Sequence, residues 1–512
     1  MYLNLPNDKK YLYEQIYEII KNKIINGEIK EEEKLPSIRN LSKDINVSIN
    51  TIKKVYYKLE EEGYIYAKDK SGFYCRKIDD LIILNKKELK NNKINDEKIK
   101  YDFSISGVDY DNFPYKVMQK YMKEAIDKYD IKILDKGSYK GYEPLRKAIK
   151  TYLKNSRNIN TNSRNIIISS STEHLFSMIK KLLTDQTLFA FENPGYAFGN
   201  KFYTYDLKNP IPLDLDDEGV KIDKLRDLNA LCLFVTPFHQ FPMGTVMSIQ
   251  RRIELLNWAS LSKDRYIIED DYDSEFKFKG YPIESLKAMD KNSDVIYFGS
   301  FSKLIAPSMK ISYMVLPDDL LKKYENNFKD LSNTVSNFLQ KALAAFIESG
   351  EFEKHINRMK NIYYKKFDFI VKKLEEIEEI SFPTKADSLN LLIKIDKSVD
   401  IKKFNEVLNE KSLRLINLNR FSFRKVGKEN YFILGFANLS KKEIDEGIEI
   451  IKFALKNSKI YQTKAWFYLV FYKIKKIKNF LQKKLNIVQK VVSYKCSSEW
   501  TVFILYYYIG VD

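Results

Sequence analysis

From Tyr101 to Lys456 short apolar runs alternate with amphipathic stretches, and this alternation restricts the fold more than any other feature of the chain. The runs at 165–169, 187–191, 231–236, 266–269, 295–298 and 312–316 are short, β-branched or aromatic, and read as buried strands. The segments between them carry helical periodicity. Strands that alternate with helices pair mostly in parallel, because each crossover returns the chain to the same sheet edge. Residues 101–457 therefore read as one α/β domain with a mostly parallel sheet.

Residues 1–77 have a different pattern. Leu12, Ile16, Ile19, Ile20, Ile24 and Ile25 recur at helical spacing, and Gly27 stops that helix. Leu35-Pro36-Ser37 opens a second helix with Ser37 as its cap. A third begins near Ser48, runs through Leu59 and ends at Gly63. Tyr64-Ile65-Tyr66 and Gly72-Phe73-Tyr74 then flank the polar turn Lys68-Asp69-Lys70-Ser71, which predicts a β-hairpin. Residues 78–100 are rich in Lys, Asn and Asp and read as a linker.

Helix, helix, helix and hairpin is the order of a winged helix, in which the N-terminal residues of the second helix of the helix-turn-helix meet DNA base edges. Val47, Ile52, Val55 and Leu59 are placed to face a core. That leaves Ser48, Asn50, Thr51, Lys53 and Lys54 outward, where they can bond phosphates or, for Asn, adenine. Arg39, Lys68 and Lys70 are placed to hold flanking phosphates. A lone helix of this composition would equally suit a small domain with a solvated Lys face. The net charge of +18 favours a polyanionic partner, yet from Ser458 onward ten Lys face only Glu499 and Asp512. The DNA reading therefore rests on the motif and not on the total.

Within the α/β domain, Lys303 follows the strand 295–298 and so stands at the carboxyl edge of the sheet, where open α/β folds bind ligands. Glu269-Asp270-Asp271-Tyr272-Asp273 ends another strand. Ser169-Ser170-Ser171-Thr172-Glu173 lies between a strand and a helix, and a helix N-terminus with hydroxyls can hold a phosphate. A lysine for a Schiff base, an acid for a ring nitrogen and a phosphate cradle are what pyridoxal phosphate needs. In this reading Asp270 keeps the pyridine nitrogen protonated, because a neighbouring negative charge favours the cation, and Tyr272 bonds the phenolic oxygen. Taken singly, Lys303 would read as a surface lysine, the acids as an acidic loop or metal site, and the serines as a helix cap. With three His in the chain and none close in sequence to these acids, no metal is expected.

Two resemblances sharpen both readings. Leu35-Pro36-Ser37-Ile38-Arg39, Val47-Ser48-Ile49-Asn50-Thr51 and Leu59-Glu60-Glu61-Glu62-Gly63-Tyr64-Ile65 resemble the signature of GntR-type winged helices. Gly141-Tyr142-Glu143-Pro144-Leu145-Arg146, Glu192-Asn193-Pro194-Gly195-Tyr196, the run 236–244, the runs 269–275 and 299–307, and His355-Ile356-Asn357-Arg358-Met359 resemble MocR-type regulators. The resemblance implies a multidomain protein: an α/β winged helix-turn-helix followed by an α/β fold-type-I aminotransferase-like domain that binds pyridoxal phosphate. It implies Lys303 as the Schiff-base lysine, Tyr196 stacked on the ring, and Ser171, Thr172, Ser300 and Ser302 on the phosphate. His239 and Gln240 would line the pocket. It also implies a head-to-tail homodimer acting on a double-stranded operator, with an amino acid or amine as effector. Lys310 stands where the family usually has Arg, and a lysine cannot make the bidentate fork. Ser171 and Ser312 replace usual glycines, and Ser388 and Asn390 replace a usual Gly and His. Arg414, Arg420 and Arg424 are candidates for a substrate carboxylate, with Arg420 preferred, while Arg146 reads as structural.

A ligand-sensing regulator is thus the expected function. An active aminotransferase carrying an accessory DNA module is the alternative, separable by steady turnover with an amino donor and a keto acid. A cofactor-free scaffold is a third. Three scattered cysteines, no apolar leader core in MYLNLPNDKK and no apolar run near the ~20 residues of a membrane helix suit a cytoplasmic protein without a membrane partner. Residues 458–512 read as a basic, aromatic tail outside the core fold, so truncation at Ser458 is expected to leave stability unchanged in a thermal melt.

Overall fold

The computed structural model describes residues 11–76 and 99–460, apart from short breaks at 106, 127–130, 206, 208, 226–230, 279–282, 293, 385–386 and 424–426, together with 472–478 and 482. The chain divides into two compact units at about residue 96.

In the first unit, α1 (Leu12–Ile25) buries Ile16, Tyr17, Ile20 and Ile24 on one face. These meet Leu41 of α2 (Ile38–Asp44) and Ile52, Val55, Tyr56 and Leu59 of α3 (Ile49–Glu61) in a single apolar cluster. Both later helices start where the sequence placed a serine. Ser37 Oγ accepts from the Asn40 N–H at 3.2 Å, and Ser48 Oγ accepts from the Thr51 N–H at 3.1 Å. Each such cap satisfies a donor that the first helical turn leaves without an intrahelical partner. The hairpin is β1 (Ile65–Lys68) against β2 (Gly72–Cys75), with Lys68 opposite Gly72. Lys68 therefore belongs to the strand and the turn is shorter than expected, with Lys70 at φ 56°.

The second unit begins at the short strand β3 (Tyr101–Asp102). Eight strands follow: β4 (Ile166–Ser169), β5 (Leu188–Asn193), β6 (Ile211–Asp216), β7 (Gly219–Val220), β8 (Leu231–Val235), β9 (Arg265–Asp271), β10 (Val295–Ser300) and β11 (Ser312–Val315). They form one sheet in the order β4-β11-β10-β9-β8-β5-β6-β7. β6, β5, β8, β9 and β10 are mutually parallel, while β11 runs antiparallel between β10 and β4. Every residue of β4, β8, β9 and β11 is buried, as expected where helices cover both faces of a parallel sheet. All six predicted strands are present. β6 was not predicted, because Pro212 and two aspartates, Asp214 and Asp216, interrupt its apolar pattern.

A smaller sheet completes the unit. β12 (Ile380–Ser381), β13 (Asn390–Ile395), β16 (Tyr431–Gly435) and β15 (Ile416–Asn417) lie antiparallel in that order, and β14 (Leu413–Arg414) pairs with β3. The helix Lys441–Asn457 closes this layer behind a capping box at Ser440 and Glu443. Two boundaries shift from the sequence reading. Lys100 already donates its N–H to Ser412 O at 2.9 Å, and at the other end Asp400 N donates to Ser458 O at 2.8 Å while Lys459 pairs with Val399. Ordered contacts thus continue past 457. Within the expected tail, residues 472–478 are an exposed helical stretch; apart from these and residue 482, the tail beyond 460, like most of the expected linker, lies outside the described residues.

Gly435 lets the segment after β3 lie directly on β16: its N–H donates to Phe103 O at 2.8 Å, and a Cβ there would stand 2.3 Å from the Ser104 carbonyl. Backbone on both sides leaves nothing to rotate away. Gly435→Ala is expected to destabilise the larger unit by about 1–3 kcal/mol, the usual cost of overpacking, measured by urea denaturation.

Candidate functional site

At the carboxyl edge of the large sheet is a cavity of about 330 Å³. It is lined by Lys303, Asp270, Tyr272, Tyr196, Ser171, Thr172, Ser300, Ser302 and Lys310, which the chain brings from five separate stretches. Lys303 follows β10, and its amine donates to the carbonyl of Ile105. Burial lowers its pKa to about 8, with Asp273 opposing that fall. Asp270 lies within β9, 6% exposed, and its Oδ1 has no hydrogen-bond partner. Burial, reinforced by the carboxylates of Asp271, Glu173, Asp273 and Glu192, raises Asp270 to about 8.

Each neighbouring acid has a partner for at least one oxygen, although Asp273 Oδ2, behind the lining, has none. Asp271 receives Arg157 at 2.9 Å and the Tyr297 hydroxyl at 2.7 Å. Glu269 accepts the N–H groups of Leu286 and Lys287 at 2.9 and 2.8 Å. Asp273 Oδ1 lies 2.8 Å from His239 Nδ1. Asp270 thus stands apart as a buried acid whose free oxygen belongs to a cavity-lining residue. Such an atom calls for a cationic or donating partner.

The hydroxyl side of the cavity is built from helix and strand ends. Ser171 caps the helix Thr172–Leu182, its Oγ accepting from His174 N at 3.2 Å. Its φ of −162° is extended, so a side chain is accommodated there without backbone strain. Thr172 accepts from the Tyr203 hydroxyl at 3.0 Å. Ser312 donates to Ser300 Oγ at 3.1 Å, and Ser300 Oγ also accepts the Ser302 N–H at 3.2 Å. Lys310 holds a left-handed backbone at φ 48°.

Three expected residues are placed elsewhere. His239 and Gln240 lie behind the cavity wall instead of in its lining. Gln240 Nε2 donates to Glu192, Pro194 O and Phe241 O at 3.2, 3.0 and 2.7 Å, bracing the loops that carry Tyr196 and Phe241. The His239 carbonyl accepts the Tyr272 hydroxyl at 3.0 Å. Arg420 is exposed on the turn Leu418–Phe421, because Leu418 and Phe421 are the buried members of that turn. Of the other candidates, Arg414 is half-exposed 3.6 Å from Asp102, and Arg424 lies outside the described residues. Arg146 is buried on the carbonyls of Gly141 and Ser163, as the structural reading expected.

Sequence reasoning missed Ile105, Glu173, Thr236, Phe241, Pro307, Ser312 and Asn390 as lining residues. Asn390 was noticed only as a departure from a family pattern; its side chain hydrogen-bonds Tyr272. Ile105 carries no local signal, since only the docking of its segment on β16 brings it there.

On the smaller unit, Arg39, Ser48, Asn50, Lys53, Lys54, Lys68 and Lys70 are exposed and Thr51 is half-buried. Ser48 and Thr51 are engaged with each other, their hydroxyl oxygens 2.7 Å apart. Lys53 lies over the Tyr57 ring at 5.6 Å and Lys68 over Tyr74 at 5.6 Å. The outward face of α3 is therefore polar and basic at its N-terminal end, which suits phosphate and base contacts.

Comparison with known proteins assigns both units. Residues 12–75 match the bacterial regulatory proteins of the gntR family, and residues 98–451 match aminotransferase class I and II. The HTH-type transcriptional regulator YdeL of Bacillus subtilis is 33% identical over 450 residues, covering 87% of this chain and 97% of its own. The probable rhizopine catabolism regulatory protein MocR of Rhizobium meliloti is 24% identical over 465 residues, 86% of this chain and 93% of its own. Among solved structures, the Pyrococcus horikoshii kynurenine aminotransferase aligns with a TM-score of 0.62 at 24% identity, covering 71% of this chain and 93% of that one. That likeness speaks for the fold of the larger unit.

Asp270, Glu192 and Glu269 are held at about 8, 7 and 7, in each case chiefly by burial, against ordinary values of 3.8, 4.5 and 4.5. Between the unfolded and folded values the folded protein holds more protons, so its stability falls as pH rises through that window. Lys303 acts in the opposite sense only above its folded value of about 8. The cofactor-free protein should therefore lose thermal stability steadily from about pH 5 to about pH 8. Asp270→Asn should flatten the profile, and calorimetric melts across that range check both outcomes.

Proposed function

Because this chain belongs to the MocR-type bacterial transcription regulators, in which a GntR-family winged helix is fused to an aminotransferase class I and II domain, we propose that its larger unit binds pyridoxal phosphate and uses it to sense an amino acid or amine. The observation that carries this reading is the unpartnered Oδ1 of buried Asp270 in the same cavity as the buried amine of Lys303. The residues present fit the group. Lys303 would hold it covalently through its amine, which burial keeps partly uncharged near neutral pH. Asp270 would accept a proton-bearing ring nitrogen and, so paired, remain ionised. Tyr196 would cover the ring, and the Tyr272 hydroxyl would turn from the His239 carbonyl to donate to the ring's phenolic oxygen. Ser171, Thr172, Ser300, Ser302 and Lys310 would bind the phosphate beside a helix N-terminus. Gln240 and His239 position this wall from behind.

When bound, the cofactor supplies an aldehyde that captures primary amines and a ring that withdraws electrons from them. The chain's part is to bind, orient and screen. An effector regulates only if it binds two conformations with different affinity. In the proposed arrangement a head-to-tail homodimer in the cytoplasm presents two winged helices to two half-sites of an operator. Asn50 reads base edges, while Arg39, Lys53, Lys54, Lys68 and Lys70 neutralise phosphates, and Ser48 and Thr51 shape the helix start.

Two measurements test this. Protein loaded with pyridoxal phosphate and freed of excess should show a visible absorbance band that Lys303→Ala lacks; no band in the native chain would overturn the cofactor assignment. On duplexes selected from a random pool, Asn50→Ala should cost about 1–3 kcal/mol of specific binding. Lys53→Ala should instead weaken all sequences alike and lower the salt slope by about one.

A further inference from the structure

The cavity has two chemically different sides. One carries hydroxyls and Lys310, with Ser312 and Ser300 hydrogen-bonded to each other. The other is formed by Ile105, Tyr196, Phe241 and Tyr272, with Tyr196 and Tyr272 edge-on to Phe241 at 5.7 and 6.1 Å between ring centroids. Behind this second side an apolar cluster of Leu392, Leu418, Phe421 and Ile433 is fully packed. Ile433 is 0% exposed in the middle of β16, so the floor there offers no cation.

An α-carboxylate brought into such a site needs a guanidinium fork or an equivalent set of donors, since an unpaired buried anion is costly. Among the described lining residues the cations are Lys303 and Lys310. Lys303 would be bonded to the cofactor, and Lys310 stands with the phosphate-side hydroxyls. Among the described residues, the arginines packed near this sheet edge are committed, and Arg424 lies outside those residues. Arg157 pairs with Asp271 and Glu275 at 2.9 and 2.6 Å. Arg252 donates to the carbonyls of Met247, Glu284 and Pro237. Arg420 points to solvent. A further lining residue, Glu173, is itself an acid and disfavours a carboxylate.

We propose that the effector taken by this cavity is a primary amine with an apolar substituent and no carboxylate, and not an α-amino acid. This rests on the cofactor reading above and narrows its ligand class. The amine nitrogen meets the cofactor beside Lys303, and the substituent lies against Ile105, Tyr196 and Phe241, where burial of apolar area stabilises it. An amino acid with the same side chain would make the same contacts and find no cation for its carboxylate among the described lining residues beyond Lys303 and Lys310.

Matched pairs isolate that group. The full chain, loaded with pyridoxal phosphate, is titrated with tyramine against L-tyrosine and with isoamylamine against L-leucine, following the bound-cofactor spectrum and, separately, heat of binding. Each amine should bind at least about tenfold more tightly than its amino acid, a difference of about 1.4 kcal/mol. Equal or tighter binding of the amino acids to protein that shows the cofactor band overturns the amine assignment and leaves the cofactor reading standing. A loaded protein that binds neither member of either pair has the same meaning. Absence of the band on loading overturns both.

Discussion

Burial of a run of acids at the end of one strand is the constraint around which the larger unit is arranged. β9 ends in Glu269-Asp270-Asp271, all under 9% exposed, with Asp273 buried just beyond. Isolated carboxylates are not tolerated in such surroundings. Each finds a remedy from a different part of the chain: backbone N–H groups of the helix Leu286–Met289 for Glu269, Arg157 from the end of a distant helix for Asp271 and Glu275, and His239 for Asp273. These pairings tie the flanking helix and loops to the sheet edge. Asp270 Oδ1 is left out, and it is one of the residues that line the cavity. The carboxyl group with the unpartnered oxygen therefore belongs to a residue that lines the cavity.

The departures from the family pattern are absorbed locally. Ser171 spends its hydroxyl on the helix cap, and Ser312 spends its own on Ser300. Ser388 donates to the Asn390 carbonyl at 3.0 Å, which leaves the Asn390 side chain for Tyr272. In each case a small polar side chain replaces a glycine or histidine and turns to a neighbour within the same wall. Lys310 retains the positive charge at the phosphate side but offers a point charge instead of a planar fork.

Ser37 and Ser48 in the winged helix and Ser171, Ser248 and Ser285 in the larger unit all cap helices. Such caps are local, which is why Ser37 was read as one, a helix was placed at Ser48 and a cap was the plain reading of the serines at 169–171, whereas Ser248 and Ser285 were not singled out. The six predicted strands were legible for a similar reason. Each is buried on both faces, so its apolar run is continuous and needs no partner to be recognised. β6 was not, because it lies toward the sheet edge and carries Asp214 and Asp216 on a half-exposed pattern. Most of the cavity residues were legible through motif resemblance, and Lys303 and Asp270 also through their place at strand ends.

The sequence by itself determined two units, their element types, the outward polar face of α3, and the lysine and acid at the sheet edge that line one cavity. These follow from periodicity, caps and strand ends, which are local in the chain. Only the tertiary structure decided that His239 and Gln240 brace the wall from behind, that Arg420 is turned to solvent, and that Ile105 and Phe241 make one side of the cavity apolar, with Ile433 packed behind them. These outcomes depend on contacts between residues far apart in sequence, such as Gly435 against Ser104, where the packing of two backbones sets which side chains reach the site.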